Sequence, residues 1–386
     1  NHTNNMDKLT KLQFNVIKSS DISLSNYNIF IQNSDEYGLF GAGLNDMNQI
    51  AKHSGNIINT MHDISTFDSD KIVLVSHGLS SKHTIIITEN NKAYGFGKND
   101  SGQLGINKVS KNEISPVRLW LNRSSIKDKI IDIKCGKKHS IFLSEYGSGY
   151  SAGNNEFGQL GLGDFVIDTP ELMLITRIHS WTKIAKIYCT EYNSYFITKS
   201  GTFVSCGYNY LGLLGMNIQD PKQINYEPAP VTYFKQYNIK CSDVKCGMNH
   251  VIALSTEGAV YTFGDNKYNQ CGIKNIDDDI TYLNIPHKLG LTTKLLNKRN
   301  KTSNNDDTTY NELNITQISA GSHHSILMDH DKNIFTFGKN HNNECLAKRK
   351  KYGKIIEEPI KISLKALSNN VSIKKLERII GGNEAT

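Results

Sequence analysis

Gly97-Lys98-Asn99-Asp100-Ser101-Gly102-Gln103-Leu104-Gly105 is the stretch that decides the fold, because the chain says it again. It returns as Gly153-Asn154-Asn155-Glu156-Phe157-Gly158-Gln159-Leu160-Gly161 and, worn, as Gly207-Tyr208-Asn209-Tyr210-Leu211-Gly212-Leu213-Leu214-Gly215. More distant copies are Gly264-Asp265-Asn266 with Gln270-Cys271-Gly272, Gly338-Lys339-Asn340 with Glu344-Cys345-Leu346, and Gly43-Leu44-Asn45 with Gln49-Ile50. The leading glycines lie 54, 56, 54, 57 and 74 residues apart. A period of this length sets the architecture before any single residue is weighed.

A second landmark runs in step with the first. Fourteen residues before Gly97, Gly153, Gly264 and Gly338 stand His83, His139, His250 and His324, while Asn193 holds that place before Gly207. The histidine follows a short glycine turn, as in Cys135-Gly136-Lys137-Lys138-His139, Cys246-Gly247-Met248-Asn249-His250 and Ala320-Gly321-Ser322-His323-His324. Gly381-Gly382-Asn383-Glu384-Ala385 fits the same turn, with alanine replacing the histidine. Between the landmarks the pattern alternates as a strand does, in His139-Ser140-Ile141-Phe142-Leu143 and His250-Val251-Ile252-Ala253-Leu254. Turn signals such as Glu257-Gly258 lead into a further strand, Val260-Tyr261-Thr262-Phe263. Each unit therefore reads as a four-stranded antiparallel blade, and blades repeated radially make an all-β propeller. Six units register, and the C-terminal turn opens another, so seven blades are expected from one domain spanning 1–386.

The phrase and the Gly-x-x-His turn resemble the regulator of chromosome condensation repeat family over roughly residues 26–386. The resemblance implies a seven-bladed propeller. It also implies two functional expectations: a non-enzymatic protein-protein scaffold, or guanine-nucleotide exchange on a Ran-like small GTPase with chromatin association. In exchange-active members, residues in and beside the turns contact the GTPase, and acidic ones matter. Here the turns offer Lys137, Lys138, Glu191, Tyr192, Met248, Asn249, Ser322, His323, Asn383 and Glu384 as partner-binding candidates. Only Glu191 and Glu384 among these are acidic, and Lys137-Lys138 brings the opposite charge, which favours the scaffold. A third expectation is a regulatory domain of a larger protein, since the chain begins at Asn1 without methionine and reads as a piece of something longer.

Bulk properties narrow the field without choosing. The formal charge is +7 and the pI about 8.8, with dense clusters only at Lys137-Lys138, Lys298-Arg299 with Lys301, and Lys348-Arg349-Lys350-Lys351. This is weak attraction for acidic partners, and no nucleic-acid motif accompanies it. No apolar run is long enough to span a membrane. Five of the seven cysteines, Cys135, Cys189, Cys246, Cys271 and Cys345, stand at repeat-equivalent positions, which is packing rather than a disulfide framework, and a reducing nucleus or cytoplasm is expected. The long 74-residue interval holds a polar insertion at 291–313, and 1–25 reads as an N-terminal segment.

Catalytic chemistry is not expected. There is no phosphate loop, serine elbow or paired-carboxylate motif, and no spacing that would hold a metal or cofactor. His83, His139, His250 and His324 recur from unit to unit, so they are expected to hold their turns rather than react. Gly97, Gly153, Gly207, Gly264 and Gly338 end strands before looping returns, where a Cβ would clash. The Gln103 and Gln159 amides are expected to bond loop backbone across the blade.

Overall fold

The computed structural model describes residues 22–24, 28–33, 38–51, 55–64, 70–78, 80–119, 128–180, 182–218, 220, 222–274, 281–292, 312–347 and 349–362. Asn383 and Glu384, the C-terminal turn, most of the 1–25 segment and residues 293–311 of the polar insertion lie outside these. The described residues form six four-stranded antiparallel sheets, each built from four consecutive strands in order. Blade 1 is β1 (Ile22–Leu24), β2 (Asn28–Asn33), β3 (Gly38–Leu44) and β4 (Ile57–Asp63). Blade 2 is β5 (Ile72–Ser76), β6 (His83–Thr88), β7 (Ala93–Asn99) and β8 (Ser110–Leu119). Blade 3 is β9 (Ile130–Cys135), β10 (His139–Ser144), β11 (Gly149–Asn154) and β12 (Asp168–Leu174). Blade 4 is β13 (Ile184–Cys189), β14 (Asn193–Thr198), β15 (Phe203–Tyr208) and β16 (Ile224–Pro230). Blade 5 is β17 (Cys241–Cys246), β18 (His250–Ser255), β19 (Val260–Asp265) and β20 (Tyr282–Lys288). Blade 6 is β21 (Ile315–Ala320), β22 (His324–Asp329), β23 (Ile334–Lys339) and β24 (Ile355–Ile362). Successive first strands from β5 to β21 neighbour one another, which places them innermost.

The second strands explain how the blades adhere. β6, β10, β14, β18 and β22 are buried at every residue. Their alternation therefore does not separate core from water; it divides side chains between two neighbouring blades. Phe142 joins a cluster with blade 2 through Ile85, Leu104 and Leu119. Its neighbours Ile141 and Leu143 face the other way and pack with Ile184, Phe196 and Val204 of blade 4. Comparable clusters join blades 1 and 2, 4 and 5, and 5 and 6. Each fully buried Phe, Ile or Leu in them contributes about 1.5–3 kcal/mol of transfer free energy. The cores thus sit at the joints, and a blade has no interior of its own.

The repeated phrase builds one loop many times. The asparagine side chain accepts the backbone N–H five residues on: Asn99 Oδ1 from Leu104 at 3.1 Å, Asn155 from Leu160 at 3.0 Å, Asn266 from Cys271 at 3.0 Å. The glutamine amide closes the tip, Gln103 Oε1 accepting from Ser101 N and Gln159 Oε1 from Phe157 N, both at 2.9 Å. This corrects the expected bond across the blade: the glutamine side chain stays within its own loop, because the tight turn presents an unpaired N–H two residues back. The leading glycine is also explained. Gly153 has φ +113°, and a Cβ there would stand 2.3 Å from the Lys138 carbonyl oxygen of the turn it pairs with.

Candidate functional site

Register places the candidate residues. His139 pairs with Gly153 and His250 with Gly264, so the glycine turns and the phrase loops emerge at the same end of every blade. The hairpins emerge at the other. Lys137, Lys138, Glu191, Tyr192, Met248, Asn249, Ser322 and His323 all lie at this turn end. Most are half-buried, and Ser322 is buried.

At the joint between blades 3 and 4 the structure brings three of them together. Lys137 forms an ion pair with Glu191 and donates to the Tyr192 hydroxyl at 2.8 Å, with its Nζ 5.0 Å from that ring's centre. The Lys137 N–H also donates to the Glu191 carbonyl at 3.2 Å. Burial works against the ammonium, but the Glu191 carboxylate and Tyr192 hydroxyl outweigh it and hold the Lys137 pKa above the usual lysine value. Aromatic side chains extend this patch. Phe157 meets Tyr192 edge-on at 4.9 Å and lies 4.9 Å from Tyr208, which stacks on the exposed Tyr210 at 5.9 Å. The joint between blades 5 and 6 repeats the motif more polarly. There Tyr268 packs edge-on against His323 at 5.4 Å, with Lys267 and Lys339 over its ring. Met248 N donates to Ser322 O at 3.1 Å, and the Asn249 and Lys138 carbonyls accept from Asp265 N and Asn154 N. Phe157, Tyr208, Tyr210 and Tyr268 were not among the sequence candidates. Their signal was available: Phe157 and Tyr268 stand four residues after a leading glycine, at a loop position otherwise filled by varied residues.

The recurring histidines lie beneath this surface. Ser140 Oγ donates to the Gln103 carbonyl at 2.8 Å, so it must accept from His83 Nε2–H, 2.8 Å away. Blade 2 is thereby joined to blade 3 and back. The same relay links His139, Ser194 and the Gln159 carbonyl (3.0 and 2.6 Å), and His250, Ser325 and the Gln270 carbonyl (3.0 and 2.7 Å). Burial pushes His139 and His250 down to about 3 and His324 to about 4, so these rings are neutral.

Two of the described joints lack the histidine relay, that of blades 4 and 5 and that of blades 1 and 2. Between blades 4 and 5, Asn193 replaces the histidine and Val251 the serine. Tyr195 instead donates to the Leu213 carbonyl at 2.8 Å, where other joints use the glutamine carbonyl. Asn193 bonds within its own blade, to the Tyr208 carbonyl at 2.7 Å. Asn28 does the same in blade 1, donating to the Leu44 carbonyl at 2.6 Å. It pairs with Gly43 but stands fifteen residues before it, which hid it from the spacing. A different bond strengthens the joint of blades 4 and 5: Tyr188 of β13 donates to Asp243 of β17 at 2.6 Å, with Lys245 3.0 Å from the same carboxylate. Burial would raise the Asp243 pKa; Lys245 and the Tyr188 hydroxyl hold it below the usual carboxylate value.

Comparison with known proteins agrees with this geometry. The family description RCC1-like domain matches residues 8–386. The ultraviolet-B receptor UVR8 of Arabidopsis thaliana is 28% identical over 280 residues, covering 72% of this chain and 55% of that protein. Human RCC2 is 27% identical over 229 residues, covering 54% of this chain and 43% of that protein. The chain thus spans about half the length of these relatives. Among solved structures, Prp20p of Saccharomyces cerevisiae superposes with a TM-score of 0.69 at 19% identity, over 89% of this chain and 77% of that one. No helix of the described residues is long and apolar enough to cross a membrane. Six blades of one design among the described residues, four of them with the turn histidine, and a family match along nearly the whole sequence place this chain in the RCC1-like domain family.

Proposed function

We propose that residues 1–386 form a single propeller domain that works as a non-enzymatic scaffold, binding a protein partner at its turn end in the nucleus or cytoplasm. The supporting observation is the patch at blades 3 and 4, where Lys137, Glu191 and Tyr192 meet Phe157, Tyr208 and exposed Tyr210. Aromatic rings on a rigid frame, rimmed by paired charge, suit a protein interface. The test is capture of partners from a cell extract. Tyr192→Ala and Tyr210→Ala lose the partner that the unmutated protein retains, while the denaturant midpoint of Tyr210→Ala stays unchanged. Equal capture by both variants overturns the reading.

A second reading is guanine-nucleotide exchange. It draws on Prp20p, whose binding to Gsp1p and histones has been described, and on the acidic turn residues Glu191 and Glu384. Against it, the Glu191 carboxylate is committed to Lys137. Release of fluorescent GDP from Ran separates the readings. The scaffold leaves the rate unchanged; acceleration that is lost on Glu191→Ala establishes exchange. A role as the regulatory part of a longer protein is compatible with the scaffold, since the chain covers 22% of human HERC6, a probable E3 ubiquitin-protein ligase.

A further inference from the structure

The last three strands of blade 3 carry an electrostatic exception in a basic protein. From Ser140 to Thr176 there is no lysine or arginine, and Glu145, Glu156, Asp164, Asp168 and Glu171 stand in that stretch. The same blade bears the most exposed apolar side chains described. Phe165 is 96% and Ile167 78% exposed, and Met173 on β12 is exposed beside them in sequence. Phe165 and Ile167 stand on a loop that is held from below. Asn155 Nδ2 donates to the Gly163 carbonyl at 3.0 Å and to the Val166 carbonyl at 2.6 Å. Asp168 accepts from Asn154 Nδ2 and from the Asn155 N–H, fixing the loop's far end. Val166 is turned partly inward, so its neighbours on either side are turned out. The phenyl ring therefore faces water because the hydrogen bonds of the loop put it there. An aromatic held nearly bare on a fixed loop marks a contact surface.

Charge says what covers it. Asp164, Asp168 and Glu171 form no ion pair among the described residues, whereas Arg177, the first cation after this stretch, pairs with Glu227. We propose that the outer rim of blade 3, with Phe165, Ile167 and Met173 among Asp164, Asp168 and Glu171, docks a cationic protein segment that carries apolar side chains. The apolar residues of the segment cover Phe165 and Ile167, while its lysines and arginines face the carboxylates. The uncompensated carboxylates repel a phosphate backbone, so the occupant is not a nucleic acid. This deepens the scaffold reading and rests on it.

The probe is a fluorescent amphipathic peptide of lysine, arginine and leucine, read by anisotropy at rising salt. Its comparators have serine for leucine, or glutamate for the basic residues. The unmutated protein binds the first saturably, binds the serine peptide at least about tenfold more weakly, and does not bind the glutamate peptide. Phe165→Ser with Ile167→Ser weakens binding about tenfold or more, as loss of a central anchor does. Asp164→Lys with Glu171→Lys weakens it similarly and removes its salt dependence. These four side chains are exposed, and circular dichroism verifies that both double variants are folded. Tyr192→Ala keeps the peptide. Absence of saturable binding, or full binding by the rim variants, overturns the proposal. If the rim fails while Tyr192 still governs partner capture, only the rim assignment falls. If capture fails and the peptide still needs the rim, the turn-end reading falls instead.

Discussion

A single carbonyl sets the identity of the leading glycine. At Gly153 the backbone is left-handed, and the Lys138 oxygen occupies the space where a Cβ would be. Gly153→Ala must rotate out of that region or push the histidine turn away, and either costs more than the ordinary penalty of about 1 kcal/mol for a non-glycine residue there. The expected loss is about 2–4 kcal/mol, read as a lowered urea midpoint. Alanine at Gly163, also at positive φ but with nothing within 4 Å, serves as the control with the smaller loss. These glycines were legible in the sequence because they recur in register. The role of the residue after the histidine was not. Thr84, Ser140 and Ser325 show a hydroxyl there, and Ser194 shows one after Asn193, but strand alternation gives no hint that its partners lie one blade away.

Between elements, the joint of blades 4 and 5 shows how one substitution compels others. At the turn glycines a Cβ would stand 2.0 Å from the His139 ring or 2.1 Å from the His250 ring. Thr190 occupies that turn position in blade 4, leaving no room for an imidazole at residue 193. Asn193 is short enough, and the Thr190 hydroxyl donates to its Oδ1 at 3.1 Å. With no histidine, residue 251 needs no hydroxyl, and Val251 joins the apolar cluster. The order of stabilities follows. Asn193→His alone is the least stable, losing about 1–3 kcal/mol to overpacking. Adding Thr190→Gly recovers part. Adding Val251→Ser recovers more, because the buried Nε2–H gains an acceptor. Urea midpoints of the three variants check the sequence of losses; a triple variant no better than the double would show that the relay contributes nothing at this joint. The blades themselves were readable from the 54-to-57-residue period. The Lys137–Glu191 pair was not, because its partners are separated by a whole blade and only the ring brings their turns together.

Across the molecule, the buried histidines set a common acid limit. His77 and His324 are held at about 4, His139 and His250 at about 3, and His83 well below its ordinary value, chiefly by burial. The unfolded chain takes up protons near pH 6.5, while the folded one does not until far lower. Above pH 6.5 both states are neutral and these groups add no pH dependence. Below it the unfolded state alone is protonated, so stability falls as pH drops, by about 1.4 kcal/mol per unit for each histidine. The denaturant midpoint is expected to be flat from pH 8 to 7 and to fall steeply below 6.5. His139→Asn lowers the plateau but makes the decline shallower. A midpoint unchanged down to pH 5 would contradict the burial of these rings. Fold and histidine positions were thus written in the repeat. The working surface was not, since exposed residues such as Phe165 and Tyr210 obey no period.

The relay also governs how such a chain can be rearranged. Each link takes its histidine from one blade and its hydroxyl from the next, so excising one period and inserting another leaves every link whole if both blades carry both halves. Blade 4 carries Ser194 for the blade before it but Asn193 toward the blade after, and blade 5 answers with Val251. Separated, the two would set an asparagine against a serine, or a histidine against a valine. For duplication, deletion or transplantation, blades 4 and 5 are therefore a single inheritable unit, while blade 1, with Asn28 in the histidine's place, can only stand before a blade that needs no imidazole.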